Sequence, residues 1–307
     1  MKFEKVLITG TGGKLGTYVA TELQGHCEIS GFDARPSHGA IRHRIGDITD
    51  AAAMAQACDG VDAVLHIAAL PNIWSGSSDD IVRINTMGVW TVLQAAEAAG
   101  VRRVVLCSSD SVVGFTVMSG SLKPPVYLPI DNAHPLNPTD PYAISKLLGE
   151  EIGRGFAARG SLEVIVLRPV FVLYPDMEGE VKARAADPLS YRDVSAGGPN
   201  PAGGGPAWHY VDPRDAARAF RLALEVEKAR FATYFISAAS TMAPEATLDR
   251  MQRVLGTMPA LRRPEVYRLN PFAPLYDLTT ARDELGFTAQ HDLRPRLLAD
   301  ELHVEIT

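Results

Sequence analysis

The segment KVLITGTGGKLGTYVATELQG, residues 5–25, decides the fold of this chain. It opens with a short β-branched apolar run that ends at Gly10, which is typical of a buried strand. Leu15, Val19 and Leu23 then recur every four residues, which is the spacing of an amphipathic helix. The segment therefore predicts a strand and a helix joined by a glycine-rich turn.

The glycines of this turn are spaced as GxxGxxG, at Gly10, Gly13 and Gly16. One glycine permits the tight turn, one lets backbone amides approach a pyrophosphate, and one lets the helix pack closely on the strand. The helix N-terminus adds free N–H groups and the positive end of its dipole. In this strand–turn–helix context the motif predicts nucleotide binding rather than an ordinary glycine-rich turn.

Two carboxylates follow at positions that suit a nucleoside. Asp33 ends the next predicted strand and could accept both ribose hydroxyls of an adenosine. A carboxylate there would repel a 2′-phosphate, which favours NAD over NADP, although Arg35 could soften that preference. Asp47 follows another short extended segment, and it would either meet the adenine amino group or only form an Asx turn.

Strands and helices continue to alternate as far as residue 169. Such alternation predicts a parallel sheet covered on both faces, with ligands at the carboxyl ends of its strands. The predicted strands are 5–10, 27–33, 61–69, 101–109 and 162–169, and the predicted helices are 13–25, 50–60, 79–100 and 140–160.

After about residue 170 the pattern loosens into a smaller lobe, which we expect to pack on the carboxyl edge of the sheet. The segment 195–207 is dense in Gly and Pro and predicts a lid, a linker or a surface loop. Further helices are predicted at 213–228, 244–255 and 278–286, and strands at 233–237 and near 266–269.

The net charge of the chain argues against a nucleic-acid or anionic-membrane partner. The 307 residues carry a formal net charge of -6, whereas nucleic-acid and anionic-membrane surfaces need clustered Lys and Arg. No apolar run approaches the roughly 18 residues of a membrane span, and the N-terminal run is too short for a signal peptide. Cys27, Cys58 and Cys107 fit no metal-ligand spacing, which favours reduced thiols. These features predict a cytoplasmic protein with a small-molecule substrate and no nucleic-acid, membrane or metal partner.

The segment DPYAISKLLGE, residues 140–150, places Tyr142 and Lys146 on one face of a helix that Asp140 caps and Pro141 begins. A phenol has a pKa of about 10 and does little near neutral pH on its own. An ammonium about 4 Å away, at an effective dielectric constant near 20, contributes roughly 4 kcal/mol. That would lower the phenol pKa by about three units and predicts a general acid/base. The alternative is an exposed Tyr/Lys pair.

Ser108 and Ser109 lie at the carboxyl end of a predicted buried strand, at the edge where ligands bind in such sheets. A serine hydroxyl at this position can donate to a developing alkoxide or to a carbonyl oxygen. The alternative for such a pair is simple turn chemistry.

Together, these motifs resemble the extended short-chain dehydrogenases/reductases of the NAD-dependent epimerase/dehydratase type. The resemblance covers about residues 4–172 and implies a Rossmann-type doubly wound α/β fold. It implies an NAD-binding domain over 1–171, with returning C-terminal segments, and a smaller substrate-binding lobe over 172–307. The matching features are GxxGxxG, Asp33, Asp47-Ile48, HIAA at 66–69, Asn85, SSDSVVG at 108–114, YAISK at 142–146 and LRP at 167–169.

The resemblance also implies roles for single residues. Tyr142 would be the general acid/base, Lys146 would bind the nicotinamide ribose, and Ser109 would bond the reacting oxygen. The implied NAD-binding residues are Gly10, Gly12, Gly13, Lys14, Leu15, Gly16, Asp33, Asp47, Ile48, Ala68, Ala69, Asn85, Ser108, Tyr142, Lys146, Pro169 and Val170. The implied substrate-binding residues are Ser75, Ser109, Asp110, Ser111, Tyr142, Phe171 and His209, with Ser108 beside them.

Three of these positions keep a structural alternative. His66 lies within the apolar run AVLHIAA and is expected to be a buried structural histidine. His209 would either reach the substrate or pack, and Asn85 would either fix local backbone or be exposed.

Departures from the family pattern bear on the reaction. Phe171 stands where nucleotide-sugar members of the family usually carry Asn. Dehydratases of the family usually carry an Asp-Glu pair after the catalytic Ser or Thr, whereas here Asp110 is followed by Ser111. SSDSVVGF resembles the pattern of sugar-acid dehydrogenases. We therefore expect an NAD-dependent dehydrogenase of a small polyhydroxy, sugar or sugar-acid-like substrate. The alternatives are a nucleotide-sugar epimerase resembling UDP-glucose 4-epimerase and a non-catalytic NAD-sensing regulator. The resemblance further implies a homodimer through the helices at 80–99 and 141–159.

Overall fold

The computed structural model describes residues 3–37, 41–115, 123–187, 206–227 and 230–298. Within these ranges nine strands form two parallel sheets. The strands are β1 (Lys5–Thr9), β2 (Glu28–Asp33), β3 (Arg42–Ile45), β4 (Ala63–His66), β5 (Arg103–Cys107), β6 (Tyr127–Leu128), β7 (Glu163–Pro169), β8 (Phe231–Ile236) and β9 (Ala260–Leu261).

Seven strands form the main sheet, in the order β3-β2-β1-β4-β5-β7-β8, and β6 pairs with β9 in the second. From β1 the chain adds β2 and β3 on one side and the later strands on the other. The reversal between β1 and β4 is the switch point at which ligands bind in doubly wound sheets, beyond the carboxyl ends of the strands. The predicted doubly wound α/β fold is therefore confirmed.

Helices cover both faces of the main sheet. None of the helices in the described ranges is long and apolar enough to cross a membrane. They are α1 (Lys14–Leu23), α2 (Ala51–Cys58), α3 (Ser78–Ala98), α4 (Pro141–Arg159), α5 (Glu178–Ala186), α6 (Pro213–Glu225), α7 (Thr247–Leu255), α8 (Pro264–Leu269), α9 (Thr279–Asp283) and α10 (Arg294–Leu297).

Strand β1 contributes to two hydrophobic cores because alternate side chains of a strand point to opposite faces. Val6 and Ile8 join the core that α1 and α6 cover, and Leu7 joins the core that α2, α3 and α4 cover. All three side chains are at most 1% exposed. Burial on both faces explains why this strand is a continuous apolar run and not an alternating one.

Two elements from the second half of the chain return to the main sheet. Strand β8 pairs with β7 along its whole length, and α6 packs against α1. A third hydrophobic cluster, which includes Leu173, Trp208 and Met242, lies apart from the two cores of the sheet. The division into domains 1–171 and 172–307 stays a prediction.

One predicted element is wrong. Residues 266–269, expected to form a strand, lie in helix α8, and the extended segment is β9. Pro264 supplies the fixed φ that suits a first helical position, and Glu265 places a carboxylate in the first turn. These starting signals outweigh the β-branched and aromatic composition that favoured a strand. The Gly/Pro-rich segment predicted at 195–207 lies outside the described residues as far as residue 205.

Candidate active site

The phosphate cradle, which we define as Gly10–Gly16, leaves no room for a side chain at its first and last glycines. Gly10 has a φ of +87°, and a Cβ there would lie 2.6 Å from the backbone nitrogen of Ala68. A Cβ at Gly16 would lie 2.1 Å from the carbonyl oxygen of Gly10. Only glycine lets this turn touch the end of β4 and the start of α1 together.

The N-terminus of α1 opens onto the cradle. Gly13 is its N-cap residue and offers no side chain to bond the first N–H groups of the helix. Those N–H groups and the positive end of the helix dipole suit an anion. The main chain here therefore fits the pyrophosphate of a dinucleotide, as the sequence predicts.

Asp33 stands at the rim of the cradle, at the carboxyl end of β2. Its carboxylate accepts hydrogen bonds from the backbone N–H of Gly12 at 3.0 Å and of Arg35 at 2.8 Å. The Arg35 side chain is 71% exposed, with its Nε 3.8 Å from Asp33. The backbone thus holds the carboxylate beside the glycines, where a ribose would lie.

Asp47 forms the Asx turn that was one of its two predicted alternatives. Its Oδ1 accepts from the N–H and from the hydroxyl of Thr49, both at 2.8 Å. The next side chain, Ile48, is buried against Gly88 of α3, where a Cβ would lie 2.4 Å from the isoleucine Cδ1. A contact between Asp47 and adenine stays a prediction.

Asn85 fixes the backbone that leaves β4 through Ala68 and Ala69. Its Oδ1 accepts from the N–H of Leu70 at 2.8 Å, and its Nδ2 donates to the Leu70 carbonyl at 3.1 Å. The same Nδ2 donates to the Ser145 hydroxyl at 3.0 Å, which ties α3 to α4. Asn85 is buried, so of its two predicted alternatives it takes the one that fixes local backbone.

His66 is buried at the end of β4, as expected of a structural histidine. Its Nδ1 lies 2.8 Å from the Thr9 hydroxyl. Burial, with a smaller contribution from Lys146, lowers the pKa of His66 to about 3. The ring is therefore neutral at physiological pH.

Tyr142 and Lys146 lie on one face of α4, in its first two turns. The helix begins where the Asp140 carboxylate accepts from the N–H of Ala143 at 2.9 Å, with Pro141 in the first turn. The Lys146 Nζ donates to the carbonyl of Cys107 at 2.8 Å and lies 5.6 Å from the centre of the Tyr142 ring. The end of β5 thus anchors the ammonium beside the phenol.

The expected lowering of the Tyr142 pKa is wrong for the protein by itself. Burial raises that pKa above its ordinary value, and nearby Cys107 and Asp110 raise it further, while a hydrogen bond with Ser109 opposes the rise. The ammonium is bonded to the Cys107 carbonyl. Desolvation therefore outweighs its attraction for a phenolate.

Ser109, Asp110 and Tyr276, which we call the Asp110 cluster, lie beside Tyr142. The Ser109 hydroxyl donates to Asp110 Oδ1 at 3.3 Å and accepts from the N–H of Ser111 at 3.1 Å. The Tyr276 hydroxyl donates to Asp110 Oδ2 at 2.7 Å. Burial raises the pKa of Asp110 to about 6, against hydrogen bonds from Tyr276 and Ser109 that lower it.

Ser108 points away from the Asp110 cluster into a buried ion pair. Its hydroxyl donates to Glu150 Oε1 at 2.5 Å. Both oxygens of Glu150 accept from Arg168, at 2.9 Å and 2.7 Å, and both side chains are buried. We call Ser108, Glu150 and Arg168 the ion-pair support, because it braces the ends of β5 and β7 against α4.

The other predicted NAD-binding residues lie near the cradle or at the end of β7. Lys14 forms an ion pair with Asp176, and Leu15 packs on the core. Pro169 is the last residue of β7, and the N–H of Val170 donates to the carbonyl of Ile236 at 3.1 Å. That N–H group is therefore already bonded within the protein.

The remaining predicted substrate-binding residues are more scattered. The Ser75 hydroxyl donates to Asn72 at 2.8 Å within a turn, and Phe171 packs against the third hydrophobic cluster. His209 is buried, and its Nε2 accepts from the N–H of Leu275 at 3.1 Å. Its ring lies 4.7 Å from that of Tyr276, so it takes the packing alternative. The Ser111 hydroxyl is buried and has no hydrogen-bond partner among the described residues.

Sequence reasoning missed three residues of the site. Glu150 lies four positions after Lys146, so the spacing 142, 146, 150 on one helix face could have revealed it. Arg168 was noted only as part of LRP. Tyr276 carries no local signal, because it is 166 residues from Asp110.

A family model described as the NAD dependent epimerase/dehydratase family matches residues 6–236. L-arabinose 1-dehydrogenase (NAD(P)(+)) of Haloferax volcanii is 28% identical over 176 residues, which are 56% of this chain and 68% of that protein. Uronate dehydrogenase of Pseudomonas putida is 28% identical over 171 residues, 54% of this chain and 60% of that protein. The chain thus spans about two thirds of the length of these curated relatives.

Two solved structures are similar over nearly the whole chain. A short-chain dehydrogenase/reductase superfamily protein from Agrobacterium tumefaciens, with bound NAD, has a TM-score of 0.69 and 28% identity, covering 96% of this chain and 95% of that one. MoeE5 in complex with UDP-glucuronic acid and NAD has a TM-score of 0.68 and 25% identity, covering 95% and 96%.

Proposed function

The chain belongs to the NAD-dependent epimerase/dehydratase family, and from that premise we propose that it is a dehydrogenase of small polyhydroxy compounds. The observation that carries the proposal is the meeting of Ser109, Tyr142 and Lys146 at the carboxyl end of β5. Hydroxyl, phenol and ammonium form a proton-transferring set beside a dinucleotide cradle.

Its cofactor is NAD, which accepts or supplies a hydride at the reacting carbon when it is bound. The cradle would hold the pyrophosphate on backbone N–H groups, and Asp33 would bond the adenosine ribose. Lys146, fixed by the Cys107 carbonyl, would reach the second ribose. These residues leave the phenol of Tyr142 for the substrate.

Tyr142 would exchange the proton of the substrate oxygen. Its raised pKa keeps the phenol protonated at neutral pH, so it stands ready to protonate the oxygen of a carbonyl as that carbonyl is reduced. In the opposite direction it must accept the hydroxyl proton, and the neighbouring ammonium favours the phenolate that does so. Ser109 would hold the substrate oxygen by a hydrogen bond.

The test is cofactor turnover with and without the phenol oxygen. Absorbance of reduced cofactor is followed with a panel of sugars, aldonates, uronates and UDP-sugars. We expect Tyr142→Phe to lower kcat by about 10²–10⁴-fold, the usual value of a general acid/base. The matched control is Tyr234→Phe on β8, which removes a phenol oxygen that donates to Glu284. Full turnover by Tyr142→Phe would refute the proposal.

A nucleotide-sugar epimerase is the second candidate, because MoeE5, which is similar over 95% of this chain, is seen in complex with a nucleotide sugar, UDP-glucuronic acid, and NAD. Such an enzyme restores its cofactor within each turnover and releases no reduced NAD. Release of stoichiometric NAD on denaturing the purified protein, with UDP-sugar conversion and no net cofactor reduction, would favour it over the dehydrogenase.

We also propose a homodimer through α3 and α4. Met87, Trp90 and Leu148 on these helices are 46%, 38% and 42% exposed, which leaves large apolar side chains in water. Trp90 lies edge-on to Phe156 with ring centres 5.4 Å apart, so the two helices share this surface. Light scattering should give twice the chain mass, and Trp90→Glu should halve it. Leu269→Glu, at an 86% exposed position on α8, is the control.

A cytoplasmic location is proposed on the cysteines. Cys27, Cys58 and Cys107 are all free thiols. Burial raises the pKa of Cys58 to about 12, which keeps that thiol protonated and unreactive. Free thiols fit a reducing compartment, and fractionation of the native cells would test the location.

A further inference from the structure

Asp110 is a fixed carboxylate next to the proposed reaction centre. Ser109 donates to one of its oxygens and Tyr276 to the other, at 3.3 Å and 2.7 Å. The Tyr276 ring is itself held: it stacks on Phe235 with ring centres 4.6 Å apart, and the tilted His209 ring lies 4.7 Å from it. The carboxylate therefore cannot swing away from a ligand that reaches Ser109.

Within the described ranges no Lys, Arg or His forms an ion pair with Asp110, so none of the described cations neutralises its charge. Lys146 is bonded to the Cys107 carbonyl, and Arg168 is bonded to both oxygens of Glu150. With a pKa of about 6, Asp110 is ionised at pH 7.5 and still partly exposed.

We infer, on the premise of the proposed dehydrogenase function, that Asp110 selects a substrate with a neutral hydroxyl near the reacting carbon and discriminates against sugar acids and sugar phosphates. A carboxylate accepts hydrogen bonds from hydroxyl groups but repels a second anion. Two like charges several ångströms apart, at the effective dielectric constant of a partly buried site, imply discrimination on the order of 10- to 100-fold.

Sequence identity to relatives does not distinguish a neutral sugar from a sugar acid as the substrate, whereas the charge of Asp110 does. The chain is 28% identical both to an L-arabinose 1-dehydrogenase, whose named sugar is neutral, and to a uronate dehydrogenase, whose named substrate is an acid. The carboxylate of Asp110 favours the neutral class over the acidic class.

The experiment compares sugars that share a ring and differ in charge at one carbon: D-glucose with D-glucuronate, and D-galactose with D-galacturonate. We expect kcat/KM at pH 7.5 to be at least about 10-fold higher for the neutral member of a pair that is turned over. Asp110→Asn should raise the ratio of acid to neutral kcat/KM at least about 10-fold. The control, Asp59→Asn, removes an exposed charge next to α2 and should leave the ratio unchanged.

The pH profile supplies a readout that a merely structural role would not move. As pH falls through about 6, Asp110 takes up a proton and the ratio in the unsubstituted protein should rise towards that of Asp110→Asn, whose own ratio should stay flat. Tyr276 and Tyr142 have raised pKa values and stay protonated over this range. Among the described residues, the titratable groups next to Asp110 are Tyr276, which bonds it, and Tyr142 of α4. Behind these two lie the charged or titratable groups Cys107, Asp140, Lys146, Arg168 and His209.

Failure of this inference is distinguishable from failure of the proposed function. Preference of the unsubstituted protein for the uronates, or a ratio that Asp110→Asn does not change, overturns the role of Asp110 while the dehydrogenase stands. If no sugar reduces NAD, the dehydrogenase proposal fails. Calorimetric binding of the same pairs to the NAD-loaded protein then decides the role of Asp110: equal affinity for acid and neutral members overturns it.

Discussion

The phosphate cradle and the Asp110 cluster lie at the same edge of the sheet but are built in opposite ways. The cradle is one continuous stretch of seven residues, Gly10–Gly16, and it would bind through main-chain N–H groups that the absence of Cβ atoms leaves open. The Asp110 cluster joins side chains from residues 109–110 and 276. One is local and made of backbone, and the other is long-range and made of side chains.

Because of this difference, we expect the two sites to be sensitive to different kinds of substitution. A cradle fails when a single added methyl group meets backbone that cannot move. A side-chain cluster depends instead on buried polar groups behind it, here the ion-pair support, which holds the strand ends in place. Removing a charge from the ion-pair support should therefore damage the Asp110 side of the molecule, and volume changes should damage the cradle.

The largest effect on stability is expected in the ion-pair support. Glu150→Gln leaves the buried Arg168 without its carboxylate, and breaking such a pair costs about 3–5 kcal/mol. Urea denaturation should show this fall in the free energy of unfolding. Glu151→Gln, one residue away in an exposed pair with Arg154, should change it by less than about 1 kcal/mol. If both variants lost similar amounts of unfolding free energy, the expected dependence of the Asp110 side on the buried ion pair would be contradicted.

The next effect, on NAD binding, is expected in the cradle. Gly16→Ala would bring a Cβ to 2.1 Å from the Gly10 carbonyl oxygen and push the turn out of shape. Titration with NAD should give a Kd at least about 10-fold higher, equivalent to about 1.4 kcal/mol. Gly155→Ala, in α4 with nothing within 4 Å, is the matched control and should bind NAD normally. An unchanged Kd in Gly16→Ala would show that the cradle tolerates volume.

At Asp110 we expect a pH-dependent effect on the free energy of unfolding that is smaller than the effect in the ion-pair support. Its folded pKa of about 6 lies above the unfolded value of about 3.9. The folded protein therefore keeps a proton that the unfolded chain loses, and this contribution to stability is present below pH 4 and lost as pH rises through about 6. Asp110→Asn should raise the free energy of unfolding by on the order of 1–3 kcal/mol above pH 6 and not below pH 4. A gain equal at pH 4 and pH 7.5 would contradict the assignment.

The smallest effect is expected at Asp47. Because its carboxylate holds an Asx turn with Thr49, Asp47→Ser can keep a similar turn through its hydroxyl. The Kd for NAD should change less than about threefold. Asp33→Ser is the comparison, and it should weaken NAD binding by at least about 10-fold, since we propose that Asp33 bonds the ribose. A large loss in Asp47→Ser would support the adenine contact instead.

The main sheet and the cradle were predictable from sequence because their signals are local. Strand β1, the glycine spacing and helix α1 follow one another within 25 residues. The start of α4 is marked in the sequence by its capping residue Asp140 and by Pro141. Helix α8 was missed because its composition resembles a strand, while its start signals lie before it at Pro264.

The electrostatics of the site were not predictable in the same way. A cation four residues along a helix suggested a lowered pKa for Tyr142, but sequence spacing gives neither the burial of the phenol nor the carbonyl that Lys146 bonds. Tyr276 reaches Asp110 only because the C-terminal segment folds back over the end of β5. Such encounters depend on tertiary structure, which a local pattern does not encode.

The separation of 166 residues between Asp110 and Tyr276 also sets an order in time. A ribosome adds about 5–20 residues per second, so Asp110 is made roughly 8–30 s before its phenol donor. The cradle is complete before Asp110 is made, whereas the Asp110 cluster must wait until Tyr276 has been translated. A nascent chain that has not reached Tyr276 thus lacks the phenol donor that orients the Asp110 carboxylate, whatever the state of its cradle.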